Sequence, residues 1–340
     1  MSTIENRFSE LRHEYWPAIE RLLKDVVGGS TDPRSPIAEM CFYHLDTGGK
    51  RLRAVIPLLV AERLGCDPIR VIPFGAACEV LHNATLVHDD LQDGDRMRRG
   101  KATVWVNYGA PQAINLGDSM FYFTLLCAQR LEFEPAVREK TGRRILLDTL
   151  KVIDGQALEF VLKDQDTVRL ADYLRMVEGK TSGLFALPMA GAAELAGAPA
   201  DTVERLAQAA QQLGVLFQIQ DDVLDLYGEK GRDSSGSDIR EGKRSAPAVH
   251  LLETASSADA AAFRAILDTP REQTTDAQVA EAIALLERCG SRQWAFDELV
   301  RRRDLALASV ADHPSLHELV AGMCSLFLDP VAELDPRLRG

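Results

Sequence analysis

Two aspartate clusters with the same spacing are the residues of this sequence best suited to chemistry. The first is the segment HDDLQD at positions 88–93, and the second is QDDVLD at positions 220–225. Asp89 and Asp93 are four residues apart, so on a helix they lie on one face, one turn from each other. Like charges at this spacing destabilise a helix unless a cation lies between them, and Mg²⁺ prefers carboxylate oxygens combined with substrate phosphate oxygens. The repeated spacing therefore predicts magnesium binding at both clusters.

Basic segments accompany both clusters. A single acidic motif is most often a solvated helix face, but here each cluster closes an apolar segment and is followed by cations and glycine. The basic segments are GGKRLR at 48–53, RMRRGK at 96–101, GKT at 179–181 and SDIREGK at 237–243. One arginine guanidinium can donate two parallel hydrogen bonds to diphosphate oxygens, whereas lysine supplies a single localised positive charge. Cations that accompany metal-binding carboxylates predict a substrate that carries a diphosphate group.

The elements that position these groups are predicted to be helices almost throughout. Hydrophobic residues make up 46% of the chain and aromatic residues only 6%, a balance that favours helices over sheets. No run of alternating β-branched residues demands a sheet and no linker divides the chain, so we expect one helical domain over 1–340. Apolar residues at helical spacing predict helices over 5–28, 34–45, 50–65, 68–91, 110–131, 135–163, 169–190, 201–227, 239–255, 258–268, 276–289, 292–311 and 314–328.

Overall charge and cysteine usage disfavour several classes of protein. The formal net charge of −12 argues against nucleic acid as a partner, because phosphate backbones attract basic surfaces. None of the six cysteines forms a CxxC pair, which argues against a zinc knuckle and fits a reducing cytoplasm. The N-terminal segment lacks an apolar signal core, and no apolar run approaches the roughly 20 residues of a membrane span. We therefore expect a cytoplasmic protein without a membrane span.

The motifs resemble, in order, those of the trans-isoprenyl diphosphate synthases. GGKRLR, HDDLQDGDRMRRGK, GKT, FQIQDDVLD and SDIREGK carry the resemblance, which runs from about residue 40 to 250. It implies an all-α, single-domain helical bundle of the isoprenoid synthase type, with about 12–13 helices around a central substrate cavity. It also implies a homodimeric, Mg²⁺-dependent prenyltransferase that uses three ions. Such an enzyme condenses isopentenyl diphosphate head-to-tail with an allylic diphosphate, namely dimethylallyl, geranyl or farnesyl diphosphate.

The resemblance also assigns roles to individual residues. Asp89 and Asp93 match the first magnesium ligands, and Asp221 matches the ligand of the second motif, supported by Asp222 and Asp225 through water or from a second layer. The positions that match the isopentenyl diphosphate site are Lys50, Arg53, His82 and Arg99. Those that match the allylic diphosphate site are Arg98, Lys180 and Lys243, while Thr181 and Gln218 match polar groups beside the nascent carbocation. Relatives often carry a lysine shortly before the glycine that matches Gly236; here Lys230 or Arg232 would have to replace it.

Three other functions fit parts of the pattern. A class I terpene cyclase shares the first cluster, but its second metal motif normally follows an Asn/Ser/Glu pattern, and a head-to-head synthase is disfavoured similarly. A non-catalytic regulatory subunit usually loses one cluster, whereas both are intact here.

His88 is interpreted as a structural or hydrogen-bonding histidine, because Mg²⁺ prefers oxygen ligands. The GKT segment is not a P-loop, since Leu174 stands where the first glycine is required.

Product length depends, by the same resemblance, on residues that precede the first cluster. In this family the growing chain runs from the first cluster towards the preceding helix, where short-chain enzymes often place an aromatic floor. Here the corresponding residues are Ala84 and Thr85, with Leu81 one turn further. The aromatic run at 121–123 on the next helix offers a lower floor or simply packs the core. We expect geranylgeranyl diphosphate as product, with a longer polyprenyl or a farnesyl diphosphate as alternatives.

Overall fold

The computed structural model describes residues 3–163, 165, 167–228 and 236–339 and is built almost wholly of helices. Within these residues there are sixteen α-helices and one small hairpin, which confirms the predicted all-α class. The α-helices are α1 (Thr3–Ser30), α2 (Ile37–Leu45), α3 (Leu52–Arg63), α4 (Ile72–Gln92), α5 (Val104–Tyr108), α6 (Ala110–Ala128), α7 (Pro135–Lys163), α8 (Leu170–Lys180), α9 (Gly183–Leu195), α10 (Ala200–Tyr227), α11 (Ser237–Arg240), α12 (Ala246–Thr254), α13 (Ser257–Leu267), α14 (Asp276–Arg288), α15 (Ser291–Ser309) and α16 (Pro314–Leu328). Short 3₁₀ helices lie at Pro68–Val71, Arg271–Gln273, Asp329–Val331 and Pro336–Leu338.

Three more helices are found than were predicted, because two predicted segments are interrupted and α5 was not foreseen. The segment 169–190 breaks between α8 and α9, at the GKT motif. The backbones of two other helices pack closely against this break. A Cβ atom at Gly155 would lie 2.2 Å from the Lys180 nitrogen, and one at Gly214 would lie 2.4 Å from the Ser182 Cα. The segment 239–255 breaks between α11 and α12. At this second break Gly242 has a φ of 66°, and a Cβ atom there would lie 2.6 Å from the Leu267 carbonyl oxygen, so close packing interrupts both predicted helices.

A two-stranded hairpin lies where no sheet was predicted. Strand β1 (Met97–Arg98) pairs antiparallel with β2 (Lys101–Ala102). The turn residues Arg99 and Gly100 have φ values of 50° and 79°. Two consecutive positive φ values are typical of the tight turn that matches the twist of a hairpin. Strands of two residues are too short to produce an alternating pattern, so their sequence carries no strand signal.

The chain divides into two compact units, and each is described separately. The first comprises Thr3–Thr149 and Ala186–Ala207. Helix α4 is central to this unit and packs against α1, α3 and α6. Its buried face includes Phe74, which is fully buried and faces Gly191 of α9. The helix that carries the first aspartate cluster is therefore fixed by packing along most of its length.

The second unit comprises Leu150–Phe185 and the residues from Gln208 onward. Part of its core is an aromatic trio, Phe185, Phe217 and Phe327, with ring centroids 5.2 to 5.4 Å apart. Another part is a cluster around the fully buried Phe263. The expected single domain over 1–340 stays a prediction. None of the helices in the described parts of the chain has the length and apolar character that crossing a membrane requires.

Packing in the first unit predicts the effect of two glycine substitutions. A Cβ atom at Gly191 would lie 2.3 Å from the Phe74 ring, whereas one at Gly142 of α7 would meet nothing within 4 Å. Gly191→Ala should lower the free energy of unfolding by about 1–3 kcal/mol through overpacking. Gly142→Ala should raise it by up to about 1 kcal/mol, because alanine favours a helix. Urea unfolding of both variants measures this, and a Gly191→Ala protein as stable as Gly142→Ala would contradict it.

Candidate active site

The first aspartate cluster closes α4 as predicted. Asp93 caps the helix and donates its backbone N–H to the Asp89 carbonyl over 2.8 Å. Both side chains are half-buried. They lie at the C-terminal end of the helix, where the macrodipole disfavours negative charge. A cation bound by these carboxylates would relieve both the mutual repulsion and the unfavourable helix end.

Asp90, between these two residues, has a different environment. It is buried, and its carboxylate accepts hydrogen bonds of 2.7 and 3.0 Å from the Nε of Arg98. A second guanidinium nitrogen lies 2.6 Å from Asp90 Oδ1. Burial raises the pKa of Asp90, and the arginine opposes that rise. The ion pair places Arg98, a predicted diphosphate ligand, directly beside the first cluster.

The hairpin turn folds back onto the GGKRLR segment. Arg99 donates to the carbonyl of Gly48, and Lys101 Nζ lies 3.0 Å from the Asp46 carbonyl. Among the described residues, Arg51 and Arg99 are the two non-glycine residues with positive φ, at 57° and 50°. Such conformations cost energy and persist where surrounding contacts impose them. Two predicted anion-binding segments are thus held together in a strained local arrangement.

Further cationic and histidine side chains belong to the region around the contact between the hairpin turn and the GGKRLR segment. Arg53 is buried, and burial lowers its pKa to about 10. Burial and the charges of Arg53 and Arg99 lower the pKa of the half-buried His82 well below its usual value. Burial likewise lowers the pKa of His44 to about 3. The site therefore combines guanidinium charges with neutral imidazoles, which suits an anion rich in acceptor oxygens. The fourth predicted residue of this set, Lys50, is exposed.

Glu79 organises this basic region, although sequence reasoning assigned it no role. The buried carboxylate lies 3.1 Å from Arg51 Nη1 and accepts the Ala54 backbone N–H over 3.2 Å. It thereby fixes the beginning of α3, which carries Arg53. The other face of the Arg51 guanidinium lies over the Trp16 ring, 4.4 Å from its centroid. Arg51 thus makes structural contacts with both Glu79 and Trp16.

His88 lies against α6. Its Nε2 atom is 3.5 Å from the Ile114 carbonyl oxygen and 3.6 Å from Asp118 Oδ1. Its ring packs on Phe121 with centroids 5.7 Å apart. These contacts join the end of α4 to its neighbour. They agree with the interpretation of His88 as a structural and hydrogen-bonding residue.

The second cluster lies near the end of α10 and has one exposed member. Asp221 is exposed, whereas Asp222 and Asp225 are buried. Asp222 accepts hydrogen bonds from the Tyr173 hydroxyl (2.8 Å), the Gln218 amide (2.9 Å) and the Ala246 backbone N–H (2.7 Å). Burial raises the pKa of Asp222 to about 6. Both of its oxygens are occupied by protein donors, which fits a supporting role better than direct metal ligation.

Asp225 holds the segment that follows the cluster. Its two oxygens accept from the Ser237 hydroxyl at 2.5 Å and from the Asp238 backbone N–H at 3.0 Å. Its carbonyl oxygen accepts from the Gly236 N–H at 2.8 Å. The carboxylate therefore anchors the beginning of α11. Lys230 and Arg232, the predicted substitutes for the missing lysine, lie outside the described residues.

The GKT segment is connected to the second cluster by hydrogen bonds. The Thr181 hydroxyl donates to Gln218 Oε1 over 2.8 Å, and the Gln218 amide donates in turn to Asp222. The structure therefore brings together the two polar residues that were predicted to lie beside the carbocation. The Tyr173 hydroxyl extends this series of hydrogen bonds on the other side of Asp222. Sequence reasoning missed Tyr173, because a single tyrosine in an amphipathic helix carries no signal.

Lys180 and Lys243, which were predicted to bind the allylic diphosphate, both lie near carboxylates. Lys180 Nζ is 2.5 Å from Glu159 of α7. Lys243 Nζ is 2.8 Å from Glu241 and 3.9 Å from Asp238. These ion pairs hold the lysine side chains in defined positions.

The three residues predicted to control product length differ in exposure. Leu81 and Ala84 are 1% and 0% exposed, whereas Thr85 is half-buried. Thr85 lies one helical turn before Asp89 and therefore on the same face of α4. On α6, Tyr122 is 69% exposed and Phe123 is buried. Thr85 is thus the member of the predicted floor that the fold leaves accessible.

The donor set of the two clusters fits magnesium. Their accessible members are carboxylates, the hard oxygen ligands that Mg²⁺ prefers. In the parts of the chain that the structure describes, no three His, Cys, Asp or Glu side chains form a ready-made metal site. Mg²⁺ is commonly bound by one or two carboxylates, with water and phosphate oxygens completing its shell. Such an ion would be held jointly by the protein and a phosphorylated substrate.

Comparison with known proteins agrees with the motifs and the fold. The sequence model of the family described as polyprenyl synthetase matches residues 34–286. A geranylgeranyl diphosphate synthase from Mycobacterium tuberculosis is 33% identical over 92% of this chain and 91% of its own. A (2E,6E)-farnesyl diphosphate synthase from Mycobacterium bovis is 32% identical over 87% of this chain and 80% of its own. A solved structure of a polyprenyl synthase from Caulobacter crescentus, complexed with calcium and isoprenyl diphosphate, is 25% identical. It covers 94% of this chain and 95% of that chain with a TM-score of 0.82.

The chain belongs to the polyprenyl synthetase family. The matched region contains both aspartate clusters and all four basic segments. The family membership predicted from the motifs is therefore confirmed, together with the all-α fold.

Proposed function

We propose that this protein is a Mg²⁺-dependent trans-prenyltransferase that condenses isopentenyl diphosphate head-to-tail with dimethylallyl, geranyl or farnesyl diphosphate. Family membership supports the reaction class. The observation that carries the proposal is the environment of the two clusters. In each, the leading aspartate, Asp89 or Asp221, is more accessible than the one after it, which is buried and bound by protein donors. That arrangement suits metal binding better than a purely structural role.

The substrate-binding roles follow the family pattern. We assign isopentenyl diphosphate to the basic region built from Lys50, Arg53, His82 and Arg99. We assign the allylic diphosphate to Arg98, Lys180 and Lys243. The positive charges of Arg53 and Arg99 beside His82 support the first assignment, because together they attract an anion.

The reaction requires stabilisation of a departing diphosphate and of a carbocation. Mg²⁺, when bound, supplies positive charge that stabilises the departing diphosphate, and three ions are proposed by resemblance. The basic side chains add hydrogen bonds to the same oxygens. Thr181 and Gln218 offer oxygen atoms to the carbocation, held in place by their mutual hydrogen bond and by Asp222. The released diphosphate accepts the final proton, so no catalytic histidine or cysteine is needed.

The metal assignment predicts a specific loss of activity. Asp89→Asn and Asp221→Asn should each reduce kcat/KM by at least about 100-fold, because a carboxylate ligand becomes a neutral amide. Asp201→Asn removes an exposed carboxylate near the other end of α10 and should leave activity unchanged. Initial rates with Mg²⁺ as the sole divalent metal measure this, with helical content monitored by circular dichroism. Near-normal activity in both cluster variants would contradict the assignment.

We propose geranylgeranyl diphosphate as the main product, with a longer polyprenyl or a farnesyl diphosphate as alternatives. The small and half-buried Thr85, one turn before the first cluster, supports a product longer than farnesyl diphosphate. The relatives are named for both farnesyl and geranylgeranyl products, so their names alone do not decide between them.

A bulky residue at position 85 should shorten the product. The half-buried Thr85 shares the face of Asp89, so Thr85→Phe would fill space needed by an added isoprene unit. Thr85→Val keeps the volume and serves as the control. Ala84→Phe should instead lower stability by about 1–3 kcal/mol, because Ala84 is fully buried. Chromatography of the dephosphorylated products tests this. An unchanged product distribution in Thr85→Phe would show that the floor lies elsewhere.

We also propose that the protein is a cytoplasmic homodimer. Leu150, Ile153 and Val161 of α7 are 61%, 46% and 52% exposed, and they share one face of the helix in the second unit. A stripe of exposed large apolar residues favours burial against another protein surface, and a second copy of the chain is the proposed occupant. All six cysteines are free thiols, which supports a reducing compartment.

Light scattering tests the assembly. The wild-type protein should have twice the chain mass of 37.4 kDa, and Leu150→Glu should shift the mass towards that of one chain, because a carboxylate would be buried in the interface. A wild-type mass of one chain at micromolar concentration would rule out the proposed dimer.

A further inference from the structure

Lys180 at the end of α8 already has an anionic partner in this structure. Its Nζ atom lies 2.5 Å from Oε2 of Glu159 on α7. The two side chains are 20% and 27% exposed. Neither the sequence motifs nor the proposed reaction gives Glu159 a role. The group expected to bind the allylic diphosphate is thus neutralised by a carboxylate that nothing so far accounts for.

A close helix contact fixes the position of this pair. Gly155 lies one turn before Glu159 on the same face of α7. A Cβ atom at Gly155 would lie 2.2 Å from the Lys180 nitrogen, and one at Gly179 would lie 3.0 Å from the Gly155 Cα. The two backbones therefore touch where the lysine begins. Helix packing alone brings the glutamate within reach of the lysine.

We infer that Glu159 is a positioning residue for Lys180, which it holds until a diphosphate oxygen takes its place. The inference rests on the proposed function, because it assumes that Lys180 binds the allylic diphosphate. A free lysine side chain populates many rotamers, and the ion pair restricts them before the substrate arrives. The glutamate therefore orders a flexible cation in the empty site.

The same carboxylate also limits the affinity for diphosphate. A partly exposed ion pair contributes little net stability, so a substrate with several negative charges can displace it. The net free energy of such a pair already includes the restriction of its side chains, and the diphosphate must offset it in order to bind Lys180. This cost applies to the allylic diphosphate and to released inorganic diphosphate alike. Glu159 should therefore weaken the binding of both.

Glu159→Gln tests this effect, because it keeps the side-chain length and a carbonyl acceptor while removing the charge. The Kd for inorganic diphosphate in the presence of Mg²⁺ should fall by about 3- to 5-fold, the factor that corresponds to a partly exposed ion pair. The KM for the allylic diphosphate should fall similarly, and the KM for isopentenyl diphosphate should not change. Calorimetric titration and steady-state kinetics provide these values.

A matched control separates this local effect from the change in net charge. Asp172 of α8 forms a surface ion pair with Arg169 over 3.0 Å. Asp172→Asn changes the net charge by the same amount and should leave the Kd for inorganic diphosphate unchanged. A similar gain in affinity in both variants would mean that net charge, and not the contact with Lys180, is responsible.

A double variant tests whether Glu159 acts through the lysine. Lys180→Ala alone should weaken diphosphate binding, and adding Glu159→Gln to it should have no further effect, whereas a merely structural role would alter both backgrounds equally. If Lys180→Ala leaves diphosphate affinity unchanged, the proposed role of the lysine fails. If Lys180→Ala weakens binding but Glu159→Gln has no effect in the wild-type protein, only the role of Glu159 is overturned. The same conclusion follows if Glu159→Gln changes the affinity equally with and without the lysine.

Discussion

Negative charge at the ends of two apolar helices is the constraint on which the described site depends. Each cluster places aspartates near the end of a helix, where the helix dipole opposes negative charge and carboxylates four residues apart repel each other. The fold meets this by treating the two adjacent aspartates of each cluster differently. Asp90 is buried against Arg98, and Asp222 accepts three hydrogen bonds. The preceding aspartates remain accessible and retain the unfavourable repulsion that a bound cation would relieve.

The buried aspartates also organise the groups around them. Asp90 fixes Arg98 and thereby the first strand of the hairpin, whose turn carries Arg99. Asp222 joins α8, α10 and the beginning of α12 through Tyr173, Gln218 and Ala246. The buried aspartates thus set the positions of side chains that we propose to contact the substrate.

Elements with strong local signals could be predicted from the sequence. Helices α7 and α16 have the predicted bounds, and both clusters close the helices expected of them. The interruption at 181–182 could not be predicted, because it depends on glycines of two other helices that approach the backbone there. The hairpin at 97–102 is too short to leave a periodic signal.

The partners of the site residues were beyond prediction for a related reason. Glu79, Tyr173 and Glu159 lie 28, 49 and 21 positions from Arg51, Asp222 and Lys180, the residues that they contact. Periodicity and motif spacing describe neighbours within a few turns, and contacts at larger separation emerge only from the fold. Metal-binding and diphosphate-binding residue types are therefore visible in the sequence, while the groups that orient them are not.

The most direct test of the account is a turnover measurement with the purified protein. It would be incubated with labelled isopentenyl diphosphate and, separately, dimethylallyl, geranyl or farnesyl diphosphate, with Mg²⁺ or with a chelator in excess. The account predicts Mg²⁺-dependent incorporation of label into a longer allylic diphosphate, with stoichiometric release of inorganic diphosphate. Failure to incorporate isopentenyl diphosphate with any of the three primers, or equal incorporation with Mg²⁺ and with the chelator, would contradict it.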